Sequence, residues 1–167
     1  MKSYLIIFIV FFTSKYFAQT SWKSNKYLYS IEIPKGFTKT SAMGDNVDFK
    51  ANNGINSIVI VVTKLPNQYK ENSIFELLGN IEEFGKDWEK GAKEYMNNPK
   101  FIKSGKTIIN SKQTYWYDYT TENPLLYSKT YQTKNGVLLY TITLTSLLSD
   151  YNYFQPTWYK FKEKLKI

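Results

Sequence analysis

Three tyrosines are spaced so that they would lie together on one side of a β-strand. Tyr115, Tyr117 and Tyr119 alternate with other residues, and side chains two positions apart share one face of a strand. If they are exposed, such a row of rings would bind a sugar or a peptide. If a helix covers them, the same row belongs to the core, with its hydroxyl groups at the rim. This tyrosine row is our first candidate binding site.

Lysines at alternate positions near the end of the chain form a second candidate site. Lys160, Lys162, Lys164 and Lys166 would flank the apolar stripe of a helix on both of its sides. Ammonium groups arranged in this way could contact an anionic envelope surface. Alternatively, the lysines cover the edges of a buried stripe and keep their charges in water. From this set we take Lys160 and Lys164 as candidate binding residues.

Carboxylates could carry acid–base or metal chemistry. Asp45 and Asp48 lie three positions apart, and Asp118 and Glu122 frame a turn. Two acids facing each other across a cleft, roughly 5–10 Å apart, would hydrolyse a glycosidic bond. The segment around Asp45 lacks the rest of a calcium-binding loop, including its distal glutamate. We therefore expect no metal site, no cofactor and no catalytic residue, and we keep a carboxylate-dependent hydrolase as an alternative.

Composition excludes several classes of enzyme. The 167 residues contain no histidine and no cysteine, which excludes Ser-His-Asp and thiol catalysis as well as zinc sites built on these ligands. The formal net charge is +8 at pH 7, and every basic residue is a lysine. Arginine is the residue that usually forms bidentate contacts with phosphate. We therefore do not expect a nucleic-acid partner.

The N-terminal segment has the layout of a secretory signal peptide. Lys2 precedes an apolar run at residues 4–12, and the small residue Ala18 stands before a polar chain. Nine apolar residues span only about 13 Å as a helix, which is too short for a hydrocarbon core of roughly 30 Å. We predict a signal peptide at residues 1–18, cleaved after Ala18, and one exported domain at residues 19–167. Its destination is periplasmic or extracellular, and we expect no transmembrane segment.

Hydrophobic periodicity predicts the elements that must position these residues. Alternation and turn signals predict strands at residues 27–33, 47–50, 57–63, 107–109, 113–121, 126–133 and 137–145. A capping box of Ser73 and Glu76 begins a long amphipathic helix over residues 74–96. Trp88 lies near the middle of its apolar face and is expected to be buried against the sheet. Gly85 lies in the same face, which suggests close packing there.

A second helix is predicted over residues 155–165. Pro156 suits its first turn, and Trp158, Phe161 and Leu165 form its apolar stripe. Strands and helices without regular alternation indicate an α+β protein. The strand at residues 57–63 is apolar on both faces, which favours layers on both sides of the sheet. We predict an α/β/α sandwich around a mainly antiparallel sheet.

This order of elements resembles the PsbP/Mog1 superfamily, including its small secreted bacterial proteins. The resemblance is carried by the segment YSIEIPKGF at residues 29–37, the apolar strand at residues 58–62, the meander at residues 114–146 and the terminal segment at residues 154–161. It implies a non-catalytic accessory or binding domain and identifies no ligand. Together with the missing catalytic residue types, it leads us to expect an exported domain that binds a protein or envelope component. A polysaccharide hydrolase and a carbohydrate-binding module with surface tyrosines remain alternatives.

Overall fold

The computed structural model describes residues 20–42, 44–80, 83–123 and 125–167. The predicted signal peptide lies outside these residues. Along the chain, the elements are β1 (Thr20–Lys23), β2 (Ser30–Ile33), β3 (Thr38–Lys39), β4 (Val47–Asn53), β5 (Asn56–Lys64), α1 (Ile74–Leu78), α2 (Phe84–Ala92), β6 (Lys100–Ile109), β7 (Lys112–Thr121), β8 (Leu126–Asn135), β9 (Leu138–Leu147) and α3 (Tyr151–Lys164).

Seven of the described strands form one sheet in the order β3-β4-β5-β9-β8-β7-β6, and β1 pairs with β2 in a separate hairpin. Neighbouring strands run antiparallel. Tight turns explain the meander: Asn110 and Ser111 have φ of 51° and 63°, which suits the two-residue turn that matches strand twist. The predicted α+β class with a mainly antiparallel sheet is confirmed.

One face of the sheet carries the larger core. Buried residues of β5 and β9 meet the β1–β2 hairpin and α3 there. Trp158 and Phe161 of α3, and Leu165 at its C-terminal cap, are each only 3% exposed, so the predicted apolar stripe is confirmed. Burying a side chain of this size stabilises the fold by about 1.5–3 kcal/mol. The opposite face carries a smaller cluster, in which α1 and α2 cover β7.

The single long helix predicted over residues 74–96 is wrong. The capping box is present, with the Glu76 amide 3.2 Å from Ser73 Oγ, but α1 ends where Gly79 adopts a φ of 67°. A left-handed glycine terminates a helix because the next amide turns away from the helical ladder. A second helix then ends at Ala92, which leaves Tyr95 84% exposed rather than on a buried face.

Helix α2 packs closely on the sheet at Gly85, as predicted, but its Trp88 is less buried than predicted. A Cβ atom on Gly85 would lie 2.7 Å from the ring of Phe101, so the predicted close packing against the sheet is confirmed. Trp88 contacts Tyr117 and Tyr119 but is only half-buried. The prediction that Trp88 is buried is therefore too strong, because α2 lies at the margin of the sheet.

Two other boundaries differ from the prediction. Helix α3 begins at Tyr151, so Pro156 lies inside it instead of in its first turn. The prolyl ring removes one helical hydrogen bond to the carbonyl of Asn152, an exposed residue whose carbonyl water can reach. Strand β6 has ten residues where periodicity predicts only its last three. Among the described residues, no helix is both long and apolar enough to cross a membrane.

Candidate functional site

The tyrosine row lies beneath the helices. Tyr115 is fully buried, and Tyr117 and Tyr119 are each 7% exposed. The Phe84 ring lies 4.9 Å from that of Tyr115, and the Trp88 ring lies 4.5 Å from that of Tyr119. Burial raises the pKa of all three phenols, that of Tyr117 to about 12. In this conformation, the row is core packing rather than an exposed platform for a sugar.

One end of the tyrosine row leads into a cleft of about 300 Å³. It lies between the segment after α2 and the ends of β7, β8 and β9. We call it the Tyr119 cleft. Its lining residues are Met96, Asn97, Tyr119, Thr121, Glu122, Asn123, Leu126, Ser128 and Thr145. They combine hydroxyl, amide and carboxylate groups with two apolar side chains, and such a mixture holds a polar ligand in a defined orientation.

Backbone bonds hold the walls of the Tyr119 cleft. The amide of Glu122 donates to the carbonyl of Asn97 over 3.0 Å, which ties the end of β7 to the segment after α2. Asn98 and Asn123 both have positive φ, at 43° and 56°, a conformation that asparagine tolerates better than most residues. At the base, Ser128 Oγ and Thr145 Oγ1 share a hydrogen bond of 2.9 Å. The cleft is therefore largely pre-formed.

The Tyr119 cleft does not present a pair of acids. Among the described residues that line it, Glu122 is the one acid, and its carboxylate lies 3.9 Å from Lys100 Nζ. The described residues also bring no three carboxylates together as metal ligands. Sequence reasoning noticed Tyr119 and Glu122 but missed the other lining residues. The Asn97-Asn98-Pro99 segment, which stops a helix, is the sequence feature that could have predicted the wall of the cleft formed after α2.

Asp118 lies on the opposite face of the sheet from the tyrosine row. It is fully buried, opposite Lys103 of β6 and Lys129 of β8. Its Oδ1 contacts Lys129 Nζ, its Oδ2 accepts a hydrogen bond of 2.6 Å from the Tyr127 hydroxyl, and Lys103 Nζ lies 4.0 Å away. We call these three cross-strand residues the Lys103–Asp118–Lys129 row.

The contacts within the Lys103–Asp118–Lys129 row explain why Asp118 and Glu122, which the sequence groups together, do not form a pair of catalytic acids. Burial lowers the pKa of Lys129, and the adjacent Asp118 opposes this effect by favouring the charged ammonium. Lys129 Nζ also lies 3.9 Å from the centroid of the Trp116 ring, a cation–π contact. Asp118 is thus occupied by structural contacts, whereas Glu122 pairs with Lys100 and lines the cleft.

Asp48 also has a structural role. It is the extra residue of a bulge in β4, and its Oδ2 accepts hydrogen bonds of 2.7 Å from both Ser24 and Tyr29. These bonds join the β1–β2 hairpin to the main sheet. Burial, followed by the contact with Asp48, raises the pKa of Tyr29. These contacts give Asp48 a structural role and do not pair it with Asp45.

Three of the terminal lysines lie on α3, whereas Lys166 follows the helix and forms an antiparallel β-bridge with Ser30, so it does not flank the helical stripe as predicted. Lys160 and Lys164 are exposed, while Phe161 beside them is buried. Lys164 Nζ lies 3.7 Å from a carboxylate oxygen of Glu32, and Lys162 Nζ lies 4.9 Å from the centroid of the Tyr159 ring. Both candidate lysines are accessible to a partner, and their role in binding stays a prediction.

No protein-family model matches the sequence, and a search of curated proteins finds no match. Solved structures do resemble it. Cyanobacterial PsbP (CyanoP) from Synechocystis sp. PCC 6803 superposes with a TM-score of 0.69 at 14% identity, covering 89% of this chain and 91% of that chain. LpqN of Mycobacterium tuberculosis gives 0.54 at 7% identity, covering 89% and 84%.

A structure from Bacteroides thetaiotaomicron VPI-5482 gives a TM-score of 0.53 at 12% identity and covers 87% of this chain but 47% of that chain. Identities at this level establish a shared fold and no shared activity. The superposition on the cyanobacterial structure extends over nearly the whole length of both chains. The chain therefore has the PsbP-like fold that the sequence resemblance predicted.

Proposed function

We propose that this protein is an exported, non-catalytic binding domain that holds a hydroxyl-rich envelope component, such as a glycan unit, in the Tyr119 cleft. The observation that carries this proposal is the pre-formed cleft, lined by amides, hydroxyls and one carboxylate around Tyr119. Neutral donors and acceptors of this kind match the hydroxyl groups of a sugar. LpqN, which shares the fold, is involved in cell envelope biogenesis in Mycobacterium tuberculosis.

Two threonines on β9 allow a matched test of the cleft. Thr145 lines it and bonds to Ser128, whereas Thr143 lies two residues away on the same face, bonds to Thr130 over 3.0 Å and does not line the cleft. Soluble fragments from digested peptidoglycan serve as the probe in calorimetric titrations. We expect Thr145→Val to weaken binding at least tenfold and Thr143→Val to leave it unchanged. Equal effects, or no binding by the wild type, would refute the cleft as the glycan site.

The alternative is a hydrolase that uses Glu122. Glycoside hydrolysis normally needs a second carboxyl group, and no other acid lines the described part of the cleft. Incubating the protein with the same fragments and analysing the products by mass spectrometry separates these functions. The binding proposal predicts intact fragments. Cleavage that disappears in Glu122→Gln would establish the hydrolase instead.

Export is the second part of the proposal. It rests on Lys2, the apolar run at residues 4–12 and the small residue Ala18. Expression of the whole chain in a bacterial host, followed by N-terminal sequencing of the exported material, tests it. The mature protein should begin at Gln19 or Thr20. Material that keeps Met1 and stays in the cytoplasm would contradict export without affecting the glycan test.

A further inference from the structure

Strand β6 forms one edge of the sheet, and only its first residues are covered. Glu89 of α2 accepts a hydrogen bond of 2.7 Å from the Phe101 amide, and α2 packs on the same residue through Gly85. Beyond Phe101, no strand among the described residues pairs with the outer side of β6. An edge of this length presents a row of backbone groups to which another extended chain can bind.

The open part of β6 combines apolar and basic side chains. Ile102 and Ile108 are 46% and 69% exposed, an unusual amount for isoleucine. Lys103 and Lys106 lie between them in the sequence and are exposed, but on opposite faces: Lys103 pairs with Asp118 and Lys106 with Tyr115. Lys106 Nζ also lies 4.6 Å from the centroid of the Phe75 ring of α1. The turn formed by Asn110 and Ser111 ends the strand. Residues 103–109 therefore offer an unpaired backbone edge, and its exposed side chains favour contact with a chain that is both apolar and acidic, although Ile109 is itself buried.

The Lys103–Asp118–Lys129 row indicates the charge of that chain. Asp118 already contacts Lys129 and accepts a hydrogen bond from Tyr127, while Lys103 lies 4.0 Å from it. One carboxylate thus serves two ammonium groups. A strand added outside β6 would place a side chain beside Lys103, and an acid at that position would continue the alternation of charges across the sheet.

We propose that residues 103–109 of β6 dock an extended acidic segment of a partner protein by strand addition. This inference goes beyond the glycan site and uses different residues. A second copy of this chain fits less well, because pairing two β6 edges would place basic segments of both copies on adjacent strands. Like charges on adjacent strands are destabilising.

The probe is a synthetic peptide that repeats the unit Glu-Glu-Val-Val, so that glutamates lie on both of its faces when it is extended. It is compared with a peptide in which lysine replaces every glutamate. Affinity is measured by titration, and amide hydrogen exchange locates the contact. We expect the acidic peptide to bind and to slow exchange within residues 103–109. We expect the lysine peptide to bind at least tenfold more weakly. A dissociation constant above about 1 mM for the acidic peptide would overturn the proposal. Slowed amide exchange outside residues 103–109 would overturn it as well.

Charge-matched variants test the role of the lysines. Lys103→Gln combined with Lys106→Gln should weaken the acidic peptide at least tenfold. Lys26→Gln combined with Lys64→Gln removes the same charge from exposed positions on other segments and should change affinity less than about twofold. Equal losses would mean a non-specific charge effect and would overturn strand docking. Sedimentation velocity should show a monomer; a dimer that the acidic peptide cannot dissociate would show that a second copy is the occupant.

Discussion

Asp118 and Lys129 lie directly opposite each other on β7 and β8, with their charged groups in contact on a buried surface. Lys129→Met would leave the fully buried carboxylate without its closest cation. Lys103, whose side chain is 61% exposed and whose Nζ lies 4.0 Å from Asp118, would replace it only in part. We expect a loss of about 3–5 kcal/mol in the free energy of unfolding, measured by urea denaturation.

A double variant separates the net stabilisation by the ion pair from the destabilisation caused by leaving one buried charge unpaired. Asp118→Asn combined with Lys129→Met removes both charges and keeps an acceptor for the Tyr127 hydroxyl. We expect it to regain most of the lost stability. Lys100→Met serves as the control because its contact with Glu122 is largely exposed, and it should cost under about 1 kcal/mol. Additive losses in the double variant would contradict this account.

Two glycines in α2 should respond in opposite directions to alanine. A Cβ on Gly85 would meet the Phe101 ring at 2.7 Å, whereas one on Gly91 would meet no atom within 4 Å. We expect Gly85→Ala to destabilise by about 1–3 kcal/mol from overpacking. Gly91→Ala should stabilise by about 0.5–1 kcal/mol through helix propensity. Thermal unfolding of the two variants checks this, and similar shifts in both would mean that α2 does not pack tightly on β6.

Alkaline pH should destabilise the protein through its buried tyrosines. Burial raises the pKa of Tyr117 from 10.0 to about 12, so the folded state keeps a proton that the unfolded state loses. Stability from this group is therefore complete below pH 10 and is lost as pH rises to about 12. At about 1.4 kcal/mol per pKa unit, the loss from Tyr117 is about 3 kcal/mol.

Urea denaturation between pH 9 and pH 12 measures this loss. Tyr117→Phe should give a shallower decline in the free energy of unfolding than the wild type, because phenylalanine has no proton to lose. Tyr159→Phe is the control, since that ring is 58% exposed, and its decline should follow the wild type. A wild type equally stable at both ends of this range would show that the tyrosine row is accessible to water.

The four terminal lysines, three on α3 and one just after it, should contribute little to folding. Changing Lys160, Lys162, Lys164 and Lys166 to glutamine should cost under about 1 kcal/mol, because exposed charges such as that of Lys164 interact weakly. Phe161→Ala should cost about 3–5 kcal/mol as a core truncation. We also expect neither the wild type nor the lysine variant to cosediment with anionic vesicles. Salt-sensitive binding that is lost in the variant would identify α3 as a membrane-contacting surface.

Local patterns in the sequence determine much of this fold. Alternation predicts the meander, and the stripe of Trp158, Phe161 and Leu165 predicts the buried side of α3, since both depend on residues close together in the chain. The sequence does not predict the helix break at Gly79, because the apolar pattern continues on both sides of this glycine and favours one uninterrupted helix. The length of β6 was also missed, because an edge strand exposed along most of its length shows weak alternation.

The candidate sites depend on distant segments. The Tyr119 cleft joins residues 96, 97, 119, 121–123, 126, 128 and 145, and only the register of three strands brings them together. The sequence by itself determines that Tyr115, Tyr117 and Tyr119 share one face. Only the tertiary structure decides that helices cover this face and that Asp118 meets Lys129 on the other. A strand's pattern specifies which residues share a side, whereas their neighbours depend on which strands pair and in what register.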